Sequence, residues 1–119
     1  MHSHMLAGRS VLIVEDEFLI ALDIGIAFEN AGAIVVPART LADATRLVEG
    51  DDLSAAVLDF GLADGDAGAL CNRLTERHIP FVLHSGYAHV GDAYRSGIVV
   101  PKPANPNTLV DALVQALEA

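Results

Sequence analysis

Residues 11–17 read Val11-Leu12-Ile13-Val14-Glu15-Asp16-Glu17, four apolar residues without alternation followed by three acids. A continuous apolar run of this length, bounded by charge, marks a strand buried on both faces whose carboxyl end emerges into solvent. Burial of both faces requires covering helices. Leu19, Ile20, Leu22, Asp23, Ile26, Ala27 and Ala31 supply a broad helical stripe directly afterwards, with Gly32 at the C-cap. The pattern then repeats. Ile34-Val35-Val36, Ala55-Ala56-Val57-Leu58, Phe81-Val82-Leu83-His84 and Ile98-Val99-Val100 are further apolar runs. Thr40 is placed to cap a helix over 41–49 that Gly50 breaks, and Asp66 one carrying Ala67, Leu70, Cys71 and Leu74 to about His78. A helix interrupted by Gly91 is expected over 88–97. Asn105-Pro106 opens the last helix, whose apolar face is Leu109, Val110, Leu113, Val114 and Leu117. Five apolar strands alternating with helices predict an α/β fold, a doubly wound parallel sheet with right-handed crossovers.

The composition sets outer limits. A chain of 119 residues holds one domain and one core, and 52% hydrophobic residues with mean hydropathy +0.41 suffice to fill it. Sixteen acids against seven bases give a formal charge of -9, which repels nucleic acid and anionic membranes, so neither is expected as a direct partner. Lys102 is the only lysine; the other cations are arginines. The single Cys71 cannot form an internal disulfide and reads as a packing residue. The absence of an apolar run of membrane-spanning length and of a signal-peptide pattern predicts a soluble, cytoplasmic protein. Met1-His2-Ser3-His4-Met5 resembles a tag remnant, so residues 1–8 read as a disordered N-terminus or leftover and 9–119 as the domain. Zinc binding by His2 and His4 is the poorer alternative.

In an open parallel sheet the ligand site lies outside the carboxyl ends of the strands. Glu15 and Asp16 follow the first run, Asp59 the third, Ser85 the fourth and Lys102 the fifth. Three carboxylates held together repel one another unless a hard divalent cation neutralises them, and an oxygen-only site suits Mg²⁺, with Mn²⁺ the alternative. A carboxylate beside that metal can attack a phosphoryl group, and the transfer needs positive charge on the phosphoryl oxygens, which Lys102 supplies. Each residue also has a plain reading: acids favouring a helix N-terminus, a cap, a turn hydroxyl, a solvated lysine. Taken together the plain readings do not explain why complementary polar groups end four of five strands, or why the only lysine stands between Pro101 and Pro103.

Val14-Glu15-Asp16-Glu17, Leu58-Asp59, Ser85-Gly86 and Lys102-Pro103, in this order, resemble the receiver domains of bacterial two-component response regulators (CheY-like), over Arg9 to Ala119. The resemblance implies a flavodoxin-like (βα)5 sheet of strand order 2-1-3-4-5. It implies that Asp59 accepts a phosphoryl group from a sensor histidine kinase or histidine phosphotransfer protein. Mg²⁺ would be held by Glu15, Asp16, Asp59 and the Gly61 carbonyl, with Ser85 and Lys102 on the phosphoryl oxygens. Ser85 would then move as a switch that changes binding of a downstream protein, whether as signal output or as one station of a phosphorelay. Such a chain is a phosphoacceptor that assists its own phosphotransfer and dephosphorylation rather than an enzyme, and is expected as a monomer or weak dimer. Val99 stands where the family carries an aromatic switch residue. Ser85-Gly86-Tyr87 instead resembles a mostly single-domain subgroup with a Phe-Ala-Thr-Gly-Tyr motif, in which Tyr87 would take the switch role, govern phosphate lifetime and sit in a mobile segment 86–97.

The competing class is a metal-dependent phosphohydrolase or nuclease-like domain using the same acids. It requires a further acid or base, and Asp64 and Asp66 read as loop and cap residues. A dinucleotide-binding module is disfavoured because acids stand where a glycine-rich phosphate loop is required.

Overall fold

The computed structural model describes residues 5–50, 52–86 and 97–118. In chain order its elements are β1 (Ser10–Val14), α1 (Phe18–Asn30), β2 (Ile34–Ala38), α2 (Leu41–Gly50), β3 (Ala55–Asp59), β4 (Gly61–Leu62), β5 (Gly65–Asp66), α3 (Gly68–Glu76), β6 (Phe81–Ser85), β7 (Ile98–Pro101) and α4 (Pro106–Glu118). The five long strands form one parallel sheet in the order β2-β1-β3-β6-β7, which is the expected 2-1-3-4-5 once the short strands β4 and β5 are set aside. Those two pair with each other as an antiparallel hairpin directly after β3.

The unbroken apolar runs are explained by covering helices on both faces. Val11, Ile13, Ala55, Val57 and Val82 pack on one side with Ile24, Phe28, Leu109 and Leu113. Leu12, Val14, Ala56, Leu58, Phe81 and Leu83 pack on the other with Ala44, Val48, Leu70, Cys71 and Leu74. Cys71 is therefore a core residue. Register aligns the strand ends: Val14 lies beside Leu58 and Leu58 beside Leu83, so the next residues, Glu15, Asp59 and His84, arrive at one edge.

The punctuation behaves as local physics requires. Gly32 takes φ 96° after α1, where its N–H donates to the Glu29 carbonyl at 2.9 Å and the Ala33 N–H to the Phe28 carbonyl at 3.0 Å. This pair of hydrogen bonds closes the helix through a left-handed conformation that glycine adopts without steric cost. The Asp43 N–H donates to Thr40 Oγ1 at 3.1 Å at the start of α2, and the Asn107 N–H to Asn105 Oδ1 at 2.9 Å at the start of α4.

Three expectations are corrected. α1 buries Ile24, Gly25 and Phe28, whereas Leu19, Ile20, Leu22 and Ile26 of the expected stripe are exposed. The helix is apolar nearly all round, so periodicity could not select its buried face. α3 begins at Gly68 with Ala67 at the N-cap, one residue beyond Asp66, whose backbone is held in the hairpin opposite Gly61. Residues 1–8 are not a detached tail throughout: Leu6 is 0% exposed among Ile24, Phe28 and Leu113, and its N–H donates to the Ala31 carbonyl at 2.8 Å. Leu6→Ala should accordingly cost about 2 kcal/mol in urea denaturation, at the low end for a buried leucine because a chain end can settle into the space. Residues 88–96 of the helix expected over 88–97, and His2 and His4, lie outside the described residues.

Candidate functional site

The carboxyl edge of the sheet collects Glu15, Asp16, Asp59, Ser85 and Lys102. Glu15 follows β1 and is 2% exposed; Asp59 ends β3 at 7%; Ser85 ends β6 at 1%. The Lys102 N–H donates to the Ser85 carbonyl at 2.8 Å, extending the β6–β7 pairing by one step and setting the lysine side chain at the sheet edge. From there Lys102 Nζ reaches Asp59 Oδ1 at 2.7 Å. Glu15, Asp16 and Asp59 each offer an oxygen within 4.8 Å of the others, a grouping that can hold a metal ion. Gly61 is exposed at the start of β4, two residues past Asp59, and a Cβ there would meet nothing within 4 Å.

The acids are not simple helix-start charges. Glu17 holds the N-cap position of α1 without a side-chain cap, and its N–H instead donates to Glu15 Oε2 at 3.1 Å. Glu15 Oε1 is buried with no hydrogen-bond partner among the described residues. An orphaned buried carboxylate oxygen facing two further carboxylates is the donor set a hard divalent cation completes. Asp16 is tied on both sides, its Oδ2 accepting the Ala63 N–H at 3.1 Å and its carbonyl the Arg39 guanidinium at 3.1 Å. Arg39 in turn lies over the Phe18 ring, 5.8 Å from the centroid.

Sequence reading overlooked the role of Asp64. Its carboxylate accepts the Leu41 and Ala42 N–H groups at 3.0 and 3.3 Å, so the hairpin caps α2 from another part of the chain. These bonds hold its carboxyl below the usual aspartate value. A cap supplied across a span of 23 residues leaves no local signature; the capping residue visible in sequence, Thr40, is also present.

Burial pushes the Glu15 carboxyl up to about 7, against the lowering effect of the Glu17 N–H and with the Asp59 charge adding to the rise. For Lys102 burial favours the neutral amine, but the hydrogen bond and charge of Asp59, backed by Glu15 and Glu17, outweigh it and the pKa lies above the ordinary lysine value. The Glu15 shift has a definite sign. The unfolded chain loses that proton near 4.5 and the metal-free folded protein near 7, so the folded state binds more protons in between. The Glu15 contribution to stability should fall as pH rises from about 4.5 to about 7 and then level off, by roughly 3 kcal/mol. Urea denaturation in EDTA across that range should show the stability of the wild type relative to Glu15→Gln declining with pH. A slope unchanged by Glu15→Gln would contradict it.

The structure thus brings together Glu15, Asp16, Asp59, Ser85 and Lys102, with Gly61 at the rim. Tyr87 lies outside the described residues. Among the described residues no helix is long and apolar enough to cross a membrane.

No protein-family model matches the chain. The chain is similar to the phyllosphere-induced regulator PhyR of Methylorubrum extorquens, 30% identical over 92% of this chain and 44% of that protein, so it spans less than half the length of that relative. A response regulator receiver protein from Sinorhizobium medicae superposes with a TM-score of 0.81 at 24% identity, over 93% of this chain and 95% of the other. A response regulator protein from Burkholderia pseudomallei, solved with a phosphorylated aspartic acid, calcium ion and citrate, superposes with a TM-score of 0.77 at 22% identity over 93% and 73%. Five parallel strands in this order, with flanking helices and these structural relatives, give the chain the fold of CheY-like response regulator receiver domains.

Proposed function

We propose that the chain is a phosphorylation-controlled receiver in which Asp59 accepts a phosphoryl group from a histidine kinase or histidine phosphotransfer protein. The observation that carries this is the Lys102 ammonium at 2.7 Å from Asp59 Oδ1 beside the Glu15-Asp16-Asp59 cluster. A carboxylate with one oxygen on an ammonium and neighbours suited to a divalent cation is arranged for attack on phosphorus.

The step proposed forms a bond from an Asp59 carboxylate oxygen to phosphorus and breaks the phosphorus–nitrogen bond of the phosphohistidine. The imidazole leaves with the bonding pair and takes a proton from solvent. Glu15, Asp16 and Asp59, with the Gly61 carbonyl, would hold Mg²⁺, which when bound neutralises charge on the phosphoryl oxygens. Lys102, at 2.7 Å from Asp59 Oδ1, would supply a fixed positive charge to the phosphoryl oxygens. Ser85, at the end of β6, donates its hydroxyl to the acyl phosphate. That movement would alter the surface read by a downstream protein. Tyr87 is retained as the aromatic member of the switch on the strength of its sequence motif.

The test is incubation with acetyl phosphate and Mg²⁺, read by intact mass. The wild type should gain one phosphoryl group and Asp59→Asn none. Labelling of both proteins alike would sink the reading. Turnover of an added phosphoester unaffected by Asp59→Asn would point to the hydrolase alternative.

A further inference from the structure

β6 carries one residue that packing does not explain. Phe81, Val82 and Leu83 fill the two faces of the sheet, but the next position is His84, 6% exposed, with Nδ1 and Nε2 both buried and neither hydrogen-bonded among the described residues. An unpaired buried polar group is a standing cost to stability, and leucine, of similar bulk, would remove it. His84 lies opposite Asp59 in the register with β3 and opposite Val100 in the register with β7. Its side chain lines a cleft of about 270 Å³ between α1 and the β7–α4 turn, shared with Ile24, Lys102, Pro103 and Asp23, the last exposed on α1.

The Lys102 ammonium has three N–H donors and gives one to Asp59 Oδ1. A neutral imidazole has one N–H and one bare nitrogen that accepts. Burial first, and then the Lys102 charge, lowers the His84 pKa, against a smaller opposing effect of Asp59.

We propose that His84 is a positioning residue for Lys102: its bare imidazole nitrogen accepts an N–H of the ammonium and keeps it against the phosphoryl oxygens while Asp59 turns from carboxylate into acyl phosphate. This rests on the phosphoacceptor reading above. Formation of the oxygen–phosphorus bond moves the negative charge from the Asp59 carboxylate to the phosphoryl oxygens, so the flexible lysine has to let go of Oδ1 and follow that charge. A second, fixed acceptor on the neighbouring strand converts a swing into solvent into a short pivot, so that less order has to be created in the transition state.

His84→Leu should leave the thermal midpoint unchanged or raise it, yet slow labelling of Asp59 by acetyl phosphate about tenfold. His84→Gln, which returns an acceptor, should recover most of the rate. In wild-type protein carrying ¹⁵N-histidine, beryllofluoride and Mg²⁺ should move one His84 ring nitrogen toward the value of a hydrogen-bonded acceptor. A lowered thermal midpoint with equal slowing in both variants would assign His84 to packing and overturn the proposal. So would His84 ring signals indifferent to beryllofluoride while backbone amides show a change that Asp59→Asn abolishes. Absence of any Asp59-dependent change would instead overturn the receiver reading itself.

Discussion

Lys102→Arg is expected to slow phosphorylation of Asp59 by acetyl phosphate by about 100-fold, although it preserves the charge, and Lys102→Ala by about 1000-fold. The ammonium is compact and donates to Asp59 Oδ1 at 2.7 Å, while the carboxylate that receives it is 7% exposed and clustered with Glu15 and Asp16. Arginine places a planar fork where that single nitrogen sits, and the fork has to displace either the carboxylate or the incoming phosphoryl oxygens. The residue is fixed from behind as well, since its backbone N–H donates to the Ser85 carbonyl at 2.8 Å, so the strand cannot retreat to make room. Rates followed by intact mass at saturating acetyl phosphate isolate the step. If Lys102→Arg kept its rate within about threefold, net positive charge rather than geometry would be what the site needs.

Most of this edge was legible because two strong constraints act on it. A strand buried on both faces has to be apolar, and the residue where it leaves the sheet is released from that constraint, so Glu15 after Val14 and Asp59 after Leu58 stand out in the sequence. The same logic located Ser85 and Lys102. His84, beside Ser85 at the end of an apolar run, reads from sequence as a packed strand histidine, and that its two buried nitrogens find no partner among the described residues is visible only in the structure. α1 was legible as a helix but not in its orientation: with Phe18, Leu19, Ile20, Leu22, Ile24, Ile26 and Phe28 on every side, only tertiary packing decides that Ile24 and Phe28 go inside. The β4–β5 hairpin could not be foreseen because two-residue strands have no periodicity. Its Asp64 caps α2 through bonds that span 22 and 23 residues. Leu6 was misread for a related reason: a lone leucine near a histidine-bearing start has no neighbours to form a pattern, and its burial under α1 is a long-range fact.

Gly97→Val should destabilise the domain by about 4 kcal/mol, and a companion change in β6 should recover part of that loss. A Cβ at Gly97 would collide with Phe81 Cε2 and lie 2.6 Å from Cδ2, closer than carbon atoms pack. The ring cannot give way outward, because Phe81 is 1% exposed and packed in the core among Leu58, Leu74, Ile79 and Leu83. Relief therefore has to come from the backbone just before β7, which pairs with β6 through Val82 with Ile98 and Leu83 with Val99. Shifting that pairing also shifts Lys102, five residues beyond Gly97, away from Asp59. The loss should thus appear twice, as a lower urea midpoint and as slower phosphorylation at temperatures where the variant is still folded. Phe81→Leu in the Gly97→Val background removes Cε2 and Cζ and leaves only methyl groups near the Cδ2 position, so stability and rate should rise together relative to Gly97→Val alone. Recovery of stability without recovery of rate would show that the glycine acts on the core only, and that the position of Lys102 does not depend on how closely β7 approaches Phe81.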